Sequence, residues 1–209
     1  MSSSFSNQSI TAIVAATESM GIGLNGGLPW KLPGEMKYFA RVTTGENPSS
    51  NPNEQNVVMM GRKTWESIPE KFRPLKNRKN LVISGKGIDV ANATNTSTYN
   101  SVPSALNSLS SSSSSESRVF LIGGSQLYES SLTSIPPLVN RVLLTRILKP
   151  EFECDSHLED FTCHEENGKK IWKKSTHEEL EDWLGFQVNE ENEEKNTTYK
   201  YEMWVLNDQ

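Results

Sequence analysis

Glu35 is the side chain whose surroundings in the sequence suit chemistry best. Pro33 fits the first position of a helix, where its missing N–H costs nothing. Met36, Phe39, Ala40 and Thr43 then follow at i, i+3, i+4 and i+7, the spacing of one apolar helical stripe. Glu35 stands on the border of that stripe, four residues before Phe39 and so beside it. A carboxylate there could project into an apolar cleft. The alternative is an ordinary acidic residue in a first helical turn, favoured by the helix dipole.

Three glycine-bearing turns offer places for an anion. Gly61-Arg62-Lys63-Thr64 sits where a strand passes into a helix, and free N–H groups beside two cations suit a phosphate. The leading glycine of a P-loop is absent, so a Walker A reading fails, and a solvated basic helix start remains open. Gly123-Gly124 follows an apolar strand and precedes a helix at Ser125; it is either a close approach for phosphate or a plain tight turn. Gly21 to Gly26 spells G-x-G-x-x-G, but Thr17–Met20 separate it from the strand before, and Leu28-Pro29-Trp30 stand where a helix should begin. A dinucleotide fingerprint needs both neighbours, so a mobile glycine loop is the better reading. Arg78 closes the run Arg73–Arg78; it either clamps a carboxylate through two N–H groups or lies in a basic surface loop.

The elements that must position these residues are legible in part. Strands are expected at Ile10–Ala16, Asn56–Met60, Leu81–Ser84, Val119–Ile122 and Arg141–Leu148, with helices at Arg62–Ile68 and Ser125–Leu132. Asn47–Gln55 reads as a polar loop. Ile171–Thr176 and Tyr199–Leu206 can form an antiparallel pair, joined by an acidic, solvated stretch over Glu178–Glu194. Strand–helix alternation followed by a late hairpin points to one α/β domain, mostly parallel, with an antiparallel strand at an edge.

Composition removes several classes. The chain has 209 residues with 34% apolar content and a net charge of -5, and its mean hydropathy is -0.57. No run of eighteen apolar residues exists and the first ten residues do not form a secretory signal, so no membrane partner and a cytoplasmic location are expected. The acidic balance implies no basic face for nucleic acid and leaves only a local patch open, so no nucleic-acid partner is expected. Cys154 and Cys163 read as free thiols in a reducing compartment. The three histidines have no metal-ligand spacing, so no metal is expected. Residues 1–9 and the serine-rich tract 108–117 read as polar segments outside the core.

The order of these features along the chain resembles the dihydrofolate reductase family, of the eukaryotic, single-function and possibly fungal-like type. The stretches that carry the resemblance are Ile13–Ala16, Met20–Gly23, Leu28–Trp30, Glu35 with Phe39, Val57–Ile68, Phe72–Arg78 and Phe120–Tyr128, most distinctively the runs Trp65–Leu75 and Ile122–Tyr128. The resemblance spans Ile10 to Leu206. It implies a single α/β domain over 10–207, with a twisted, mostly parallel eight-stranded sheet, an antiparallel C-terminal edge and helices on both faces. It also implies hydride transfer from NADPH to C6 of 7,8-dihydrofolate, with protonation at N5, in a monomer that antifolates inhibit.

By the same resemblance, Glu35 would bind the pterin 2-amino group and N3, Trp30 would hold a water near it, and Thr145 would complete the network. Ile13, Val14, Met36, Phe39, Ile68, Leu75 and Ile122 would wall the substrate, and Arg78 would grip the glutamate tail. Met36 departs from the Phe common there in animal enzymes. For the cofactor the resemblance implies Ala15, Ile22, Gly23, Gly27, Leu28, Gly61, Arg62, Lys63, Thr64, Ser84, Lys86 and Ile122, followed by Gly123, Gly124, Ser125, Gln126, Leu127 and Tyr128. Gly85 falls where many relatives carry Arg or Lys, which leaves Arg62, Ser84 and Lys86 open as the holder of the 2′-phosphate. A reductase of riboflavin synthesis on the same fold is the competing enzyme; Glu35 with Leu28-Pro29-Trp30 argues against it. A non-catalytic nucleotide-binding relative would be expected to lack Glu35 or the glycine pair.

Overall fold

The structure, a computed structural model, describes residues 9–90, 93–109, 117–134 and 137–207. The polar start and most of the serine tract lie outside the described residues; Ser108 and Leu109 close a helix. In chain order the elements are β1 (Ile10–Thr17), β2 (Gly21–Gly23), α1 (Pro33–Thr44), β3 (Val57–Gly61), α2 (Arg62–Ser67), β4 (Lys79–Ile83), β5 (Thr96–Tyr99), α3 (Val102–Leu109), β6 (Val119–Leu121) and α4 (Ser125–Leu132). There follow β7 (Arg141–Lys149), β8 (Ser156–His157), β9 (Glu165–Glu166), β10 (Lys169–Lys170), β11 (Trp172–Lys174), α5 (His177–Leu184), β12 (Asn192–Glu194) and β13 (Thr197–Leu206).

Contacts divide the chain into two compact units. One holds Ala40–Gly124 with the described residues up to Ile10; the other holds Thr11–Phe39 and Ser125–Gln209. In the first, β3 pairs in parallel with both β6 and β4, and β4 pairs in parallel with β5. Its strands are continuous apolar runs: Val57, Val58, Met59, Met60, Leu81 and Phe120 are all fully buried, as strands covered on both faces require. In the second, β1 pairs in parallel with β7, β7 antiparallel with β13, and β13 antiparallel with β11 and β12. The fold is therefore α/β with mostly parallel strands and an antiparallel C-terminal edge. Four strands in each unit make up the eight expected, and β12 adds a ninth short one.

Two expectations need correction. The stretch Glu178–Glu194 is not simply a solvated loop. Thr176 caps α5 through a reciprocal box with Glu179, and Leu180 and Leu184, four apart, bury its apolar side. Glu194 ends β12, and Lys195 and Asn196, both at positive φ, form a two-residue hairpin turn into β13. The glycine loop is also less free than expected. Gly21 and Gly23 pair with β8, Gly23 O accepts from Asp155 N–H, and Asp155 Oδ2 accepts from Asn25 N–H at 2.8 Å. Only its tip, Asn25–Leu28, is exposed.

Candidate active site

α1 delivers Glu35, by a different face from the one the apolar stripe indicates. The buried side chains of the helix include Glu35, Tyr38 and Val42, at i, i+3 and i+7, whereas Met36 is 49% exposed and Phe39 half-buried. Tyr38 sets the rotation: its ring stacks on Tyr201 with centroids 3.8 Å apart. Glu35 is thereby turned inward rather than left at the border, and is only 6% exposed. The helix begins at Pro33, as the sequence indicates; Met36 N–H returns to Leu32 O, and Gly34 N–H donates to Glu194 Oε2 at 2.8 Å.

The partners of Glu35 are neutral. Thr145 Oγ1, on β7, donates to Glu35 Oε1 at 3.2 Å, and among the described residues Glu35 forms no salt bridge. Burial pushes the Glu35 carboxyl up to about 7; the Thr145 hydroxyl opposes the rise and the charge of Glu194 adds to it. Burial likewise raises the phenols of Tyr38, Tyr128, Tyr199 and Tyr201, and a charge on Glu35 raises each further. Trp30 is buried with its ring edge toward Phe152, 5.6 Å between centroids, and its Nε1 finds no hydrogen-bond partner among the described residues. A buried indole N–H normally has one, so this donor suits a bound water or ligand atom.

In the same unit, Ile13 and Val14 are buried on β1, Ala15 is half-buried, and Ile13 O accepts from the hydroxyl of Tyr128 on α4. Thr145 is the β7 partner of Ala15, which fixes its place beside β1. Ile22 is half-buried, Gly23 buried, and Gly27 and Leu28 are exposed. Ser125 and Leu127 are half-buried on α4 and Gln126 is exposed.

In the other unit, the end of β3 and the start of α2 pack on the glycine pair. Gly61 N–H donates to Gly123 O at 2.7 Å, and a Cβ on Gly124 would lie 3.2 Å from Thr64 Oγ1. Gly123 has φ +121, a conformation that side chains disfavour. Arg62 and Lys63 are exposed, and Arg62 is paired with Glu66 one turn on, at 2.8 Å. Ser84 is half-buried with its hydroxyl on Gly87 O, and Lys86 is exposed. Ile68, Leu75 and Ile122 are half-buried, their surroundings set by Ile122 N–H on Met59 O and by a pair of Leu75–Asn80 hydrogen bonds.

Arg78 is not a surface arginine. It is 8% exposed, its Nη1 donates to Thr43 Oγ1 at 2.8 Å and its Nε to Lys76 O at 3.0 Å. Burial pulls its guanidinium down to about 10. Among the described residues no carboxylate is bridged to it, so a buried cation is held by neutral oxygens alone.

Sequence reasoning missed Glu194, Tyr38 and Asn80. Asn80 is fully buried, and its amide ties Leu75 and Arg78 into one turn. The only local signal for Glu194 was the Lys195-Asn196 turn. Among the described residues no group of three or more His, Cys, Asp or Glu could hold a metal ion.

The strands are mostly parallel in an α/β arrangement; one unit holds a glycine pair at a strand end, and the other a buried carboxylate without a cation. The family model described as dihydrofolate reductase matches residues 9–205. The dihydrofolate reductase of Cryptococcus neoformans is 58% identical, over 97% of this chain and 96% of that protein. The dihydrofolate reductase of Pneumocystis carinii is 40% identical, over 95% and 97%. Among solved structures, Schistosoma mansoni dihydrofolate reductase superposes with a TM-score of 0.72 at 32% identity, covering 97% of this chain and 100% of that one. The chain belongs to the dihydrofolate reductase family, and is an oxidoreductase.

Proposed function

We propose that the protein transfers a hydride from NADPH to C6 of 7,8-dihydrofolate while N5 gains a proton, giving 5,6,7,8-tetrahydrofolate and NADP+. The observation that carries this reading is a Glu35 that is buried with neutral partners only. An unpaired carboxylate in such a place is costly. A pterin edge that offers an amino group and a ring N–H satisfies it and fixes the ring's orientation. Glu35 supports protonation of N5 indirectly, through water or tautomer bias. Trp30, with its unpartnered N–H, holds that water, and Thr145 orients the carboxylate.

We assign apolar contacts with the substrate to Ile13, Val14, Met36, Phe39, Ile68, Leu75 and Ile122. These contacts exclude water and align the rings, so that proximity supplies much of the rate. Arg78 takes the α-carboxylate of the glutamate tail. Arg78→Leu is expected to raise KM for dihydrofolate by roughly 10- to 100-fold, the weight of a charge-assisted pair. KM for NADPH should stay near wild type; initial-rate kinetics with each substrate varied would show an equal rise in both if the assignment is wrong.

The residues present suit a dinucleotide. The Gly123-Gly124 turn leaves Thr64 Oγ1 open where a Cβ would crowd it, and α2 starts beside it with Arg62 and Lys63. Ala15, Ile22, Gly23, Gly27 and Leu28 serve the nicotinamide end. Gly61, Arg62, Lys63, Thr64 and residues 122–128 serve the phosphates, with Arg62, Ser84 or Lys86 at the 2′-phosphate. NADPH supplies the hydride. We further assign residues 10–207 to one catalytic domain, supported by a family match that runs across both units. The protein is proposed to act as a cytoplasmic monomer, inhibited by antifolates. In support of the location, no helix among the described residues is long and apolar enough to cross a membrane, and Cys154 and Cys163 are free thiols.

The test is loss of NADPH absorbance with and without dihydrofolate. Oxidation that depends on dihydrofolate is expected; folded protein without turnover would refute the reading.

A further inference from the structure

We propose that Glu194 is a positioning residue for the reaction: its hydrogen bond to the first turn of α1 sets where Glu35 sits, and its charge opposes a charge on Glu35. The proposal rests on the reductase reading for its catalytic consequence, and on geometry alone for the contact.

β12 and β13 form a hairpin in which Glu194 faces Thr197 and Asn192 faces Tyr199. Its two-residue turn brings Glu194 to the start of α1, 160 positions earlier in the chain. There Gly34 N–H donates to Glu194 Oε2 at 2.8 Å. The first turn of a helix has N–H groups without intrahelical acceptors, and Pro33 has none to offer, so Gly34 carries the first of them. A carboxylate is the strongest acceptor available to it and is favoured by the helix dipole. The fit is close: a Cβ on Gly34 would lie 3.0 Å from Glu194 Oε2 and 3.1 Å from Tyr199 Oη. Glycine at 34 lets the strand residue reach the helix backbone, one residue before Glu35.

Two side chains act on the Glu35 carboxyl, the neutral Thr145 on β7 and Glu194 on β12, while a charge on Glu35 raises the phenols of Tyr38 on α1, Tyr128 on α4, and Tyr199 and Tyr201 on β13. The phenols are neutral at ordinary pH and no cation is among them. Glu194 is thus the one group of this set with a formal charge, and it has the same sign as an ionised Glu35. Burial is the larger cause of the raised Glu35 carboxyl, and Glu194 adds to it.

The experiment is an NMR titration of ligand-free protein labelled with carboxyl-13C glutamate, with the Glu35 signal assigned by its loss in Glu35→Gln. Glu194→Gln keeps an oxygen for Gly34 N–H but removes the charge. The Glu35 midpoint is expected to fall by roughly half a pH unit in that variant. KM for dihydrofolate should stay close to wild type in that variant. Glu194→Ala removes both contributions and should also raise KM. A Glu35 midpoint unchanged in Glu194→Gln overturns the proposal, as does a shift seen only in Glu194→Ala, which would mark a merely structural contact. The titration needs no substrate, so absence of reductase activity in the wild type would count against the reductase reading and leave this result intact.

Discussion

Glu35→Ala is expected to lose turnover at neutral pH by roughly 100- to 10,000-fold, the range for removing a group that assists proton transfer, while Glu35→Asp keeps a much larger part. The carboxylate is buried, faces only neutral donors and phenols, and has no acidic neighbour in the set around it except Glu194, whose oxygen is committed to Gly34. No nearby group can take its place, so alanine leaves the pterin edge without an acceptor. Aspartate is shorter by one methylene. It retains the acid but reaches the ring, and Thr145, less well. The check is kcat at pH 7 for both variants, with circular dichroism to establish that each is folded. Equal rates for Glu35→Ala and wild type would remove the site assignment.

The second large effect concerns stability. Burial raises the Glu35 carboxyl from 4.5 to about 7. Between those values the folded protein binds a proton that the unfolded chain releases, so stability falls as pH rises through that window. Below about 4.5 the penalty is absent, and above about 7 it is complete. At about 1.4 kcal/mol for each pH unit, its ceiling is about 3 kcal/mol. Glutamine cannot ionise and resembles the protonated acid. Glu35→Gln should therefore match wild type near pH 4 and exceed it by up to about 3 kcal/mol at pH 8, in urea unfolding of the ligand-free proteins. A difference that stays constant with pH would mean that Glu35 is ionised at no cost, and the buried-acid account would fail. The same substitution that stabilises the fold is expected to cost activity, as is common where a site holds a strained or desolvated group.

Local chemistry was legible in the sequence, and long-range approach was not. Pro33 marked the start of α1, and Ser125–Leu132 was readable as a helix to its ends. The parallel core strands showed as short apolar runs at Val57, Leu81 and Val119. The face of α1 was not, because Met36 and Phe39 look like core residues whereas Tyr38, stacked on Tyr201, decides the rotation from the other end of the chain. α5 was hidden by its acidic composition, although Thr176 and Glu179 have the spacing of a capping box. Glu202 shows the same difficulty. It alternates with the apolar Tyr201 and Met203, yet it is buried as they are, because Arg146 and Lys174 come to it from neighbouring strands. Arg78 and Glu194 gain their meaning only through Thr43 and Gly34, partners that no spacing rule places beside them.

The most direct measurement is the single-turnover rate of hydride transfer as a function of pH, in wild type and in Glu35→Gln side by side. Wild type should transfer the hydride roughly 100-fold or more faster than Glu35→Gln at pH 7. Equal rates in the two proteins across the pH range would contradict the account.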